Sequence, residues 1–278
     1  MKKLLTILVD CPDQKGLIYK ITSVLYQNEL NIIKNREYVD LDTNRFFMRT
    51  EVEGVIDEAE LAAELKEALP DQSWISVVSD RKKKLVLLVT KENHCLGDLL
   101  VRNHFGEWKA DIKAVIGNYD VLRNFTERFD IPYHCVSAEG LSREEHEQKM
   151  IQAIDQYAPD CIVLAKYMRI LTPDFVKHYE GKVINIHHSF LPAFIGAQPY
   201  KQAYDRGVKI IGATAHFVNH HLDEGPIICQ NVIPVDHSQN ASDMARAGKD
   251  VEKMVLAQAL KLVLEDKVLL SGNKTVVF

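Results

Sequence analysis

A chain of 278 residues has room for one large domain or two smaller ones. With 46% hydrophobic and 26% charged residues it reads as a soluble globular protein, and a formal charge of −5 gives nucleic acid no general electrostatic attraction. No stretch reaches transmembrane length, so neither nucleic-acid nor membrane partners are expected.

The start, MKKLLTILVD, imitates a secretory leader. Its apolar run ends at Asp10 and no small-residue cleavage site follows, so a cytoplasmic protein is expected. Leu4–Val9 predicts a strand, CPDQKG a loop ending in glycine, and Leu17–Gln27 a helix, with Leu17, Ile18, Ile21, Val24 and Leu25 at helical spacing. Asn31–Val39 and Arg45–Val52 read as paired strands around the turn LDTN. Ile56–Leu69 predicts an amphipathic helix stopped by Pro70, and Trp74–Val78 a last strand. The order βαββαβ is a ferredoxin-like split βαβ sandwich of a size that folds alone, which assigns a first domain to residues 1–80.

The polar run DRKKK, Asp80–Lys84, supplies a linker at 81–84. Beyond it strands and helices alternate over residues 85–278. Leu85–Thr90, Ile112–Gly117, Tyr133–Val136, Cys161–Ala165 and Val183–His187 read as strands, with helices through Leu96–His104, near Val121–Phe129 and over Arg143–Tyr157. Repeated βα units predict an α/β fold, an open, doubly wound and mostly parallel sheet whose ligands bind beyond the carboxyl ends of the strands. Ile210–Val218 and Ile227–Val235 are further strands, followed by a long helix, Ala241–Leu264, and a β-like tail, Lys267–Phe278. The cysteines at 11, 95, 135, 161 and 229 are scattered without CxxC spacing; neither a disulfide framework nor a zinc knuckle is expected, and buried thiols in a reducing compartment are.

The chemistry concentrates late in the chain. In Val183–Pro192, VINIHHSFLP, an apolar run ends with Asn185 and His187 two positions apart, which sets both side chains on one face of an extended segment. Asp223 follows in FVNHHLDEGPII, at the tip of another strand-like stretch. An amide that polarises a carbonyl oxygen, an imidazole that moves a proton and a carboxylate that orients it suit acyl-type chemistry with neither a covalent nucleophile nor a metal. His188 reads either as support for that group or as packing, and His220 and His221 as exposed loop residues. Ser189 lacks a GxSxG elbow and reads as a local backbone hydrogen-bonder. The two His pairs with Asp223 lack HxxxH spacing, so no metal is expected. Without GxGxxG or a Walker sequence, nicotinamide cofactors and nucleoside triphosphates have no phosphate cradle.

Two resemblances sharpen this reading. Asp13, Gly16 and Leu17 in the first loop, with Leu30-Asn31-Ile32 entering the second strand, resemble an ACT domain. That implies a homo-oligomer paired through sheet edges, and a possible amino-acid effector near Asp13, Gly16 and Asn31. The blocks APDCIVLAKYMRIL, VINIHHSFLPAF, GAQPY and GATAHFVNHHLDEGPIICQ resemble, in order and spacing, the folate-dependent formyltransferase family. The resemblance implies catalytic roles for Asn185, His187 and Asp223. It also implies a folate site built from Met168, Arg169, Ile170 and Leu171, from Asn219, His220, His221 and Leu222, and from Arg143. Where ribonucleotide-transferring members hold a phosphate on a glycine-rich turn, this chain reads VTKENHCLGDLL, with Glu92 beside the expected phosphate. A carboxylate there is repulsive, and larger residues keep the backbone away.

The expected acceptor of the formyl group is therefore water. The resemblance then implies that 10-formyltetrahydrofolate would yield formate and tetrahydrofolate, with no cofactor beyond the folate substrate, and a role in supplying formate for purine biosynthesis and balancing one-carbon pools. Two alternatives stay open: transfer of the formyl group to an amine, and a catalytically silent amino-acid or folate sensor.

Overall fold

A computed structural model describes residues 3–193 and 199–278. It divides into two compact units, the first holding residues up to Arg81 and the second built on Lys82–Glu265.

In the first unit, β1 (Lys3–Pro12), α1 (Leu17–Gln27), β2 (Asn31–Asp40), β3 (Arg45–Gly54), α2 (Glu58–Ala68) and β4 (Trp74–Ser79) follow the predicted order. The sheet runs β2-β3-β1-β4, with every neighbouring pair antiparallel. Strand alternation decides its faces. Leu5, Ile7, Val9 and Cys11 turn to one side, where Leu17, Ile21 and Leu25 of α1 and Leu61 and Leu65 of α2 complete a core. Each such side chain, removed from water, contributes about 1.5–3 kcal/mol. Asp57 caps α2 by accepting from the backbone N–H groups of Ala59 and Glu60, at 2.9 and 3.2 Å.

The second unit contains β5 (Lys83–Val89), α3 (His94–His104), β6 (Ala110–Gly117), a 3₁₀ turn at Asp120–Leu122 running into α4 (Arg123–Glu127), β7 (Tyr133–Cys135), α5 (Arg143–Asp155), β8 (Cys161–Leu164), α6 (Pro173–His178), β9 (Val183–His187), α7 (Pro199–Arg206), β10 (Ile210–Phe217), β11 (Ile227–Pro234) and α8 (Ala241–Leu264). The strand order is β11-β10-β9-β8-β5-β6-β7. Strands β5 to β9 are parallel, while β10 and β11 pair antiparallel at one edge. From β5 the chain winds outward through β6 and β7, then returns to the other side of β5 for β8 and β9. The reversal between β5 and β8 is the switch point at which such sheets open a crevice. β5 and β8 are apolar and buried throughout their inner lengths, as strands covered on both faces must be.

Helix α8 starts at a capping box, Asn240 accepting from the Asp243 N–H and Asp243 from the Asn240 N–H. Its buried stripe carries Val251, Val255, Leu256 and Leu260 and, among them, the carboxylate of Glu252. The short helices α6 and α7 are absent from the sequence reading. At 6 and 8 residues they complete too few turns to show a period.

The tail forms a hairpin, β12 (Val268–Ser271) and β13 (Lys274–Val277). Residues Asp266–Ser271 and Val276–Phe278 group with the first unit, so the sequence assignment of everything from 85 to 278 to the second domain is corrected here. The cause lies in β1 and β3, where Leu8 and Phe47 point away from the helices. Leu269, Val276 and Phe278 cover them, and Arg49 Nε donates to the Asp266 carbonyl at 2.8 Å.

Candidate active site

β9 ends at His187, and Asn185 and His187, two residues apart, share its face. Both line a cavity of about 350 Å³, within the range of small-molecule sites. Asp223 arrives from the loop between β10 and β11. Its backbone adopts the left-handed region (φ 58), which Asp tolerates better than most residues. Gly225 lets the loop close: a Cβ there would lie 1.8 Å from the Phe217 carbonyl oxygen.

His187 Nδ1 lies 3.3 Å from Asp223 Oδ2. With Nδ1–H directed at the carboxylate, the lone pair of neutral His187 rests on Nε2, which is buried without a protein partner. Burial works against ionised Asp223, but the hydrogen bond and charge of His187, together with His216 and His188, hold its carboxyl below the ordinary value. The balance favours the ionised carboxylate.

His216, at the end of β10, is a member that sequence reading missed. Its Nδ1 donates to the Phe217 carbonyl at 2.9 Å, so Nε2 is the acceptor in the neutral ring and takes a hydrogen bond from Asn185 Nδ2 at 3.2 Å. Burial pushes its pKa down and favours that neutral form. One amide proton of Asn185 is thereby fixed and the other remains for a ligand. His216 Nε2 also lies 3.8 Å from Asp223 Oδ1. The register of β9 and β10 sets His216 directly opposite Asn185, and an i,j pairing of that kind cannot be read before the strands are known to be neighbours.

Eight positions singled out in the sequence line the rest of the cavity. Met168, Arg169, Ile170 and Leu171 line it from the loop after β8, and Asn219, His220, His221 and Leu222 from the loop before Asp223. Met168, Ile170 and Leu222 are exposed apolar side chains, which suits a flat aromatic ligand. His220 and His221 are exposed and face each other, with ring centroids 4.1 Å apart. Arg143 is not brought to this cavity; it is the exposed first residue of α5, behind the Ser142–Glu145 capping box. Ser189 donates to the Ala193 carbonyl at 2.7 Å, the local bond expected of it. Residues 196–198 of the GAQPY block lie outside the described residues. Asp13, Gly16 and Asn31 belong to the first unit, in the loop after β1 and at the start of β2.

His188 stacks on His187 with ring centroids 5.0 Å apart. Burial, with the charges of Lys166 and His187, pushes its pKa down to about 4. Beside it lies a cluster that sequence reading also missed. Glu252 Oε2 receives His94 Nε2 at 2.7 Å and Lys166 Nζ at 3.1 Å, and Glu252 Oε1 accepts from the Tyr200 hydroxyl at 2.7 Å. These residues lie on α3, on the loop after β8, on α7 and on α8, far apart in sequence. Glu92, singled out in the sequence, pairs with Lys249 at 2.8 Å and lies 3.6 Å from His94 Nδ1.

Residues 83–260 match the formyl transferase family and residues 5–70 the ACT domain family. A formyltetrahydrofolate deformylase from Haemophilus influenzae is 59% identical over 276 residues, 99% of each chain. The chain belongs to the formyltetrahydrofolate deformylase family. Its structure superposes on a solved deformylase from Pseudomonas syringae pv. tomato with a TM-score of 0.95 and 40% identity, covering 100% of this chain and 95% of that one. A glycinamide ribonucleotide transformylase from Symbiobacterium toebii matches 71% of this chain with a TM-score of 0.68 and 26% identity. Among the described residues no helix is long and apolar enough to cross a membrane.

Proposed function

We propose that this chain hydrolyses 10-formyltetrahydrofolate to formate and tetrahydrofolate. The observation that carries the reading is the buried, unpartnered Nε2 of His187, aligned by Asp223 and set beside the free amide proton of Asn185 in a cavity of ligand size. A buried polar atom without a partner is costly in a finished structure and ordinary in a site awaiting substrate.

The chemistry follows from those atoms. His187 Nε2 accepts a proton from water as the water oxygen attacks the formyl carbon. The resulting imidazolium is stabilised by Asp223 across its Nδ1–H. The free N–H of Asn185 donates to the formyl oxygen as it becomes an oxyanion, and such a donor is worth about 10²–10³ in rate. Collapse of the tetrahedral intermediate breaks the bond to N10, which receives the proton from His187. Formate leaves with the water oxygen. No cofactor beyond the folate enters this sequence. The loops Met168–Leu171 and Asn219–Leu222 hold the pterin, largely through backbone groups. The activity would balance folate one-carbon pools and supply formate for purine biosynthesis.

The first unit, as an ACT domain, supports assembly into a homo-oligomer and regulation by an amino acid held near Asp13, Gly16 and Asn31. The cysteines are free and scattered, which suits the reducing cytoplasm. Formate release from 10-formyltetrahydrofolate and water alone tests the reaction. Release only after an amine is added would replace hydrolysis by transfer. Calorimetric titration with glycine and with methionine tests the effector.

A further inference from the structure

Helix α5 turns one stripe into the core, where Met150, Ala153 and Ile154 meet Tyr167, Phe175 and Tyr179. One turn earlier on that stripe stands Glu147, only 4% exposed. Helical periodicity asks for an apolar residue there, and a carboxylate taken out of water is costly unless it is hydrogen-bonded. The sequence draws attention to this turn of α5 through Arg143, which is exposed; Glu147, one turn further on, is the residue that faces inward.

Both oxygens of Glu147 are met by a single residue. Thr172 donates its backbone N–H to Glu147 Oε1 at 2.8 Å and its hydroxyl proton to Oε2. The same hydroxyl oxygen accepts from the Phe175 N–H at 3.2 Å, so its proton and a lone pair are both committed. Thr172 is the N-cap of α6. In a capping box the third helical residue would reach back to the N-cap N–H. That residue here is Phe175, which has no acceptor to offer, and Glu147 supplies one from another helix.

What this bond fixes is the loop ahead of it. Met168–Leu171 line the catalytic cavity, whereas Glu147 does not. At the start of the loop the Met168 N–H donates to Thr90 Oγ1 at 3.0 Å, and at its end Thr172 is tied to Glu147. A binding loop held at both ends has little ordering entropy left to lose when its ligand arrives.

We propose that Glu147 is a positioning residue of the folate site. Without touching the ligand, its buried carboxylate holds the Met168–Leu171 loop in the shape that receives the pterin, and so sets affinity rather than the rate of the chemical step; the identity of that ligand rests on the deformylase reading.

Glu147→Gln keeps the shape, loses the charge and leaves one carbonyl oxygen for two donors. The folded variant should bind tetrahydrofolate about tenfold more weakly in calorimetry and raise KM for 10-formyltetrahydrofolate by a like factor, with kcat within about threefold of native. A carboxylate that served the fold alone would lower Tm and leave affinity and KM where they are. Thr172→Val removes the hydroxyl and should weaken binding in the same direction, while Thr172→Ser, which keeps it, should bind as native protein does. In Glu147→Gln/Thr172→Val the loss should fall short of the product of the two single losses, because the side chains form one contact. If Glu147→Gln does not fold, the two Thr172 variants decide by themselves. Native affinity in folded Glu147→Gln, or in Thr172→Val where Glu147→Gln is lost, would overturn the proposal, as would a loss confined to kcat. Native protein that binds tetrahydrofolate yet releases no formate would count against hydrolysis, and the affinities of the variants would still judge Glu147. Native protein that binds no tetrahydrofolate would overturn both.

Discussion

An imidazole whose Nδ1 is held 3.3 Å from a carboxylate has its tautomer and its ring plane fixed before substrate arrives. Asp223→Asn retains the shape and removes the charge that favours the imidazolium. It should lower kcat for formate release by about 10²–10⁴ while changing KM little. Asn185→Ala should cost about 10²–10³ through the lost oxyanion donor. Both are read from steady-state formate production on folded variants. His188 supplies a separate signature in stability. Its pKa falls from 6.5 to about 4 in the fold, so below 6.5 the unfolded chain binds a proton that the folded chain refuses. Stability contributed by this site is whole above pH 6.5 and declines as pH falls toward 4. Replacing His188 by Gln should flatten that part of the Tm–pH curve, and an unchanged slope would move the effect elsewhere, His216 first. The trio was legible because Asn185, His187 and Asp223 sit inside contiguous blocks whose residue types state their chemistry. His216, Lys166 and Glu252 were not. A histidine inside a strand, a lysine after one and a glutamate on a helix are ordinary in sequence, and only the strand order and the placement of α8 bring them to the site. Arg143 is not among the residues lining the cavity, and the SRE that drew attention to it is also the start of the capping box of α5.

At the scale of elements, most announced themselves in the sequence, and α6 and α7 did not. α1 was delimited by its periodicity to the residue, and β5 through β9 by apolar runs. α6 and α7 left no signal, yet α7 positions Tyr200 on Glu252. The tail was legible as β structure but not as the cover for Leu8 and Phe47, because its partners lie more than two hundred positions earlier. α8 is the element on which the cluster depends, and Gly248 is its tightest point. Alanine is ordinarily the better helix former by about 1 kcal/mol. Here the added methyl collides with the Tyr200 ring and hydroxyl, the nearest atom at 2.1 Å, so Gly248→Ala should instead destabilise by about 1–3 kcal/mol. Chemical denaturation measures the sign. A gain in stability would mean that Tyr200 moves aside at no cost, and that its bond to Glu252 is dispensable.

For the whole molecule, the proposed homo-oligomer turns on the outer edge of the first unit. β2 is the edge strand of the sheet, and from Asn31 through Tyr38 its residues are exposed, with Ile33 at 54% and Tyr38 at 49%. An edge of ten residues, irregular at Ile33 but exposed over most of its length, invites another strand. Two identical edges related by a twofold axis satisfy each other, which closes the assembly and removes both edges at once. The charges along β2 do not forbid this. With the strands antiparallel about their middle, Lys34 of one copy faces Glu37 of the other, so opposite signs fall across the seam. Ile33→Lys adds a third cation on that strand and removes an apolar contact. Sedimentation velocity should show native protein as an oligomer and the variant shifted toward monomer at micromolar concentration, with formate release per chain retained, since Ile33 belongs to the first unit and the catalytic trio to the second. Native protein that sediments as a monomer would refute the oligomer itself, and a variant that keeps an oligomeric native coefficient would place the seam on another face of the ACT unit and leave β2 as an edge guarded only by its charges.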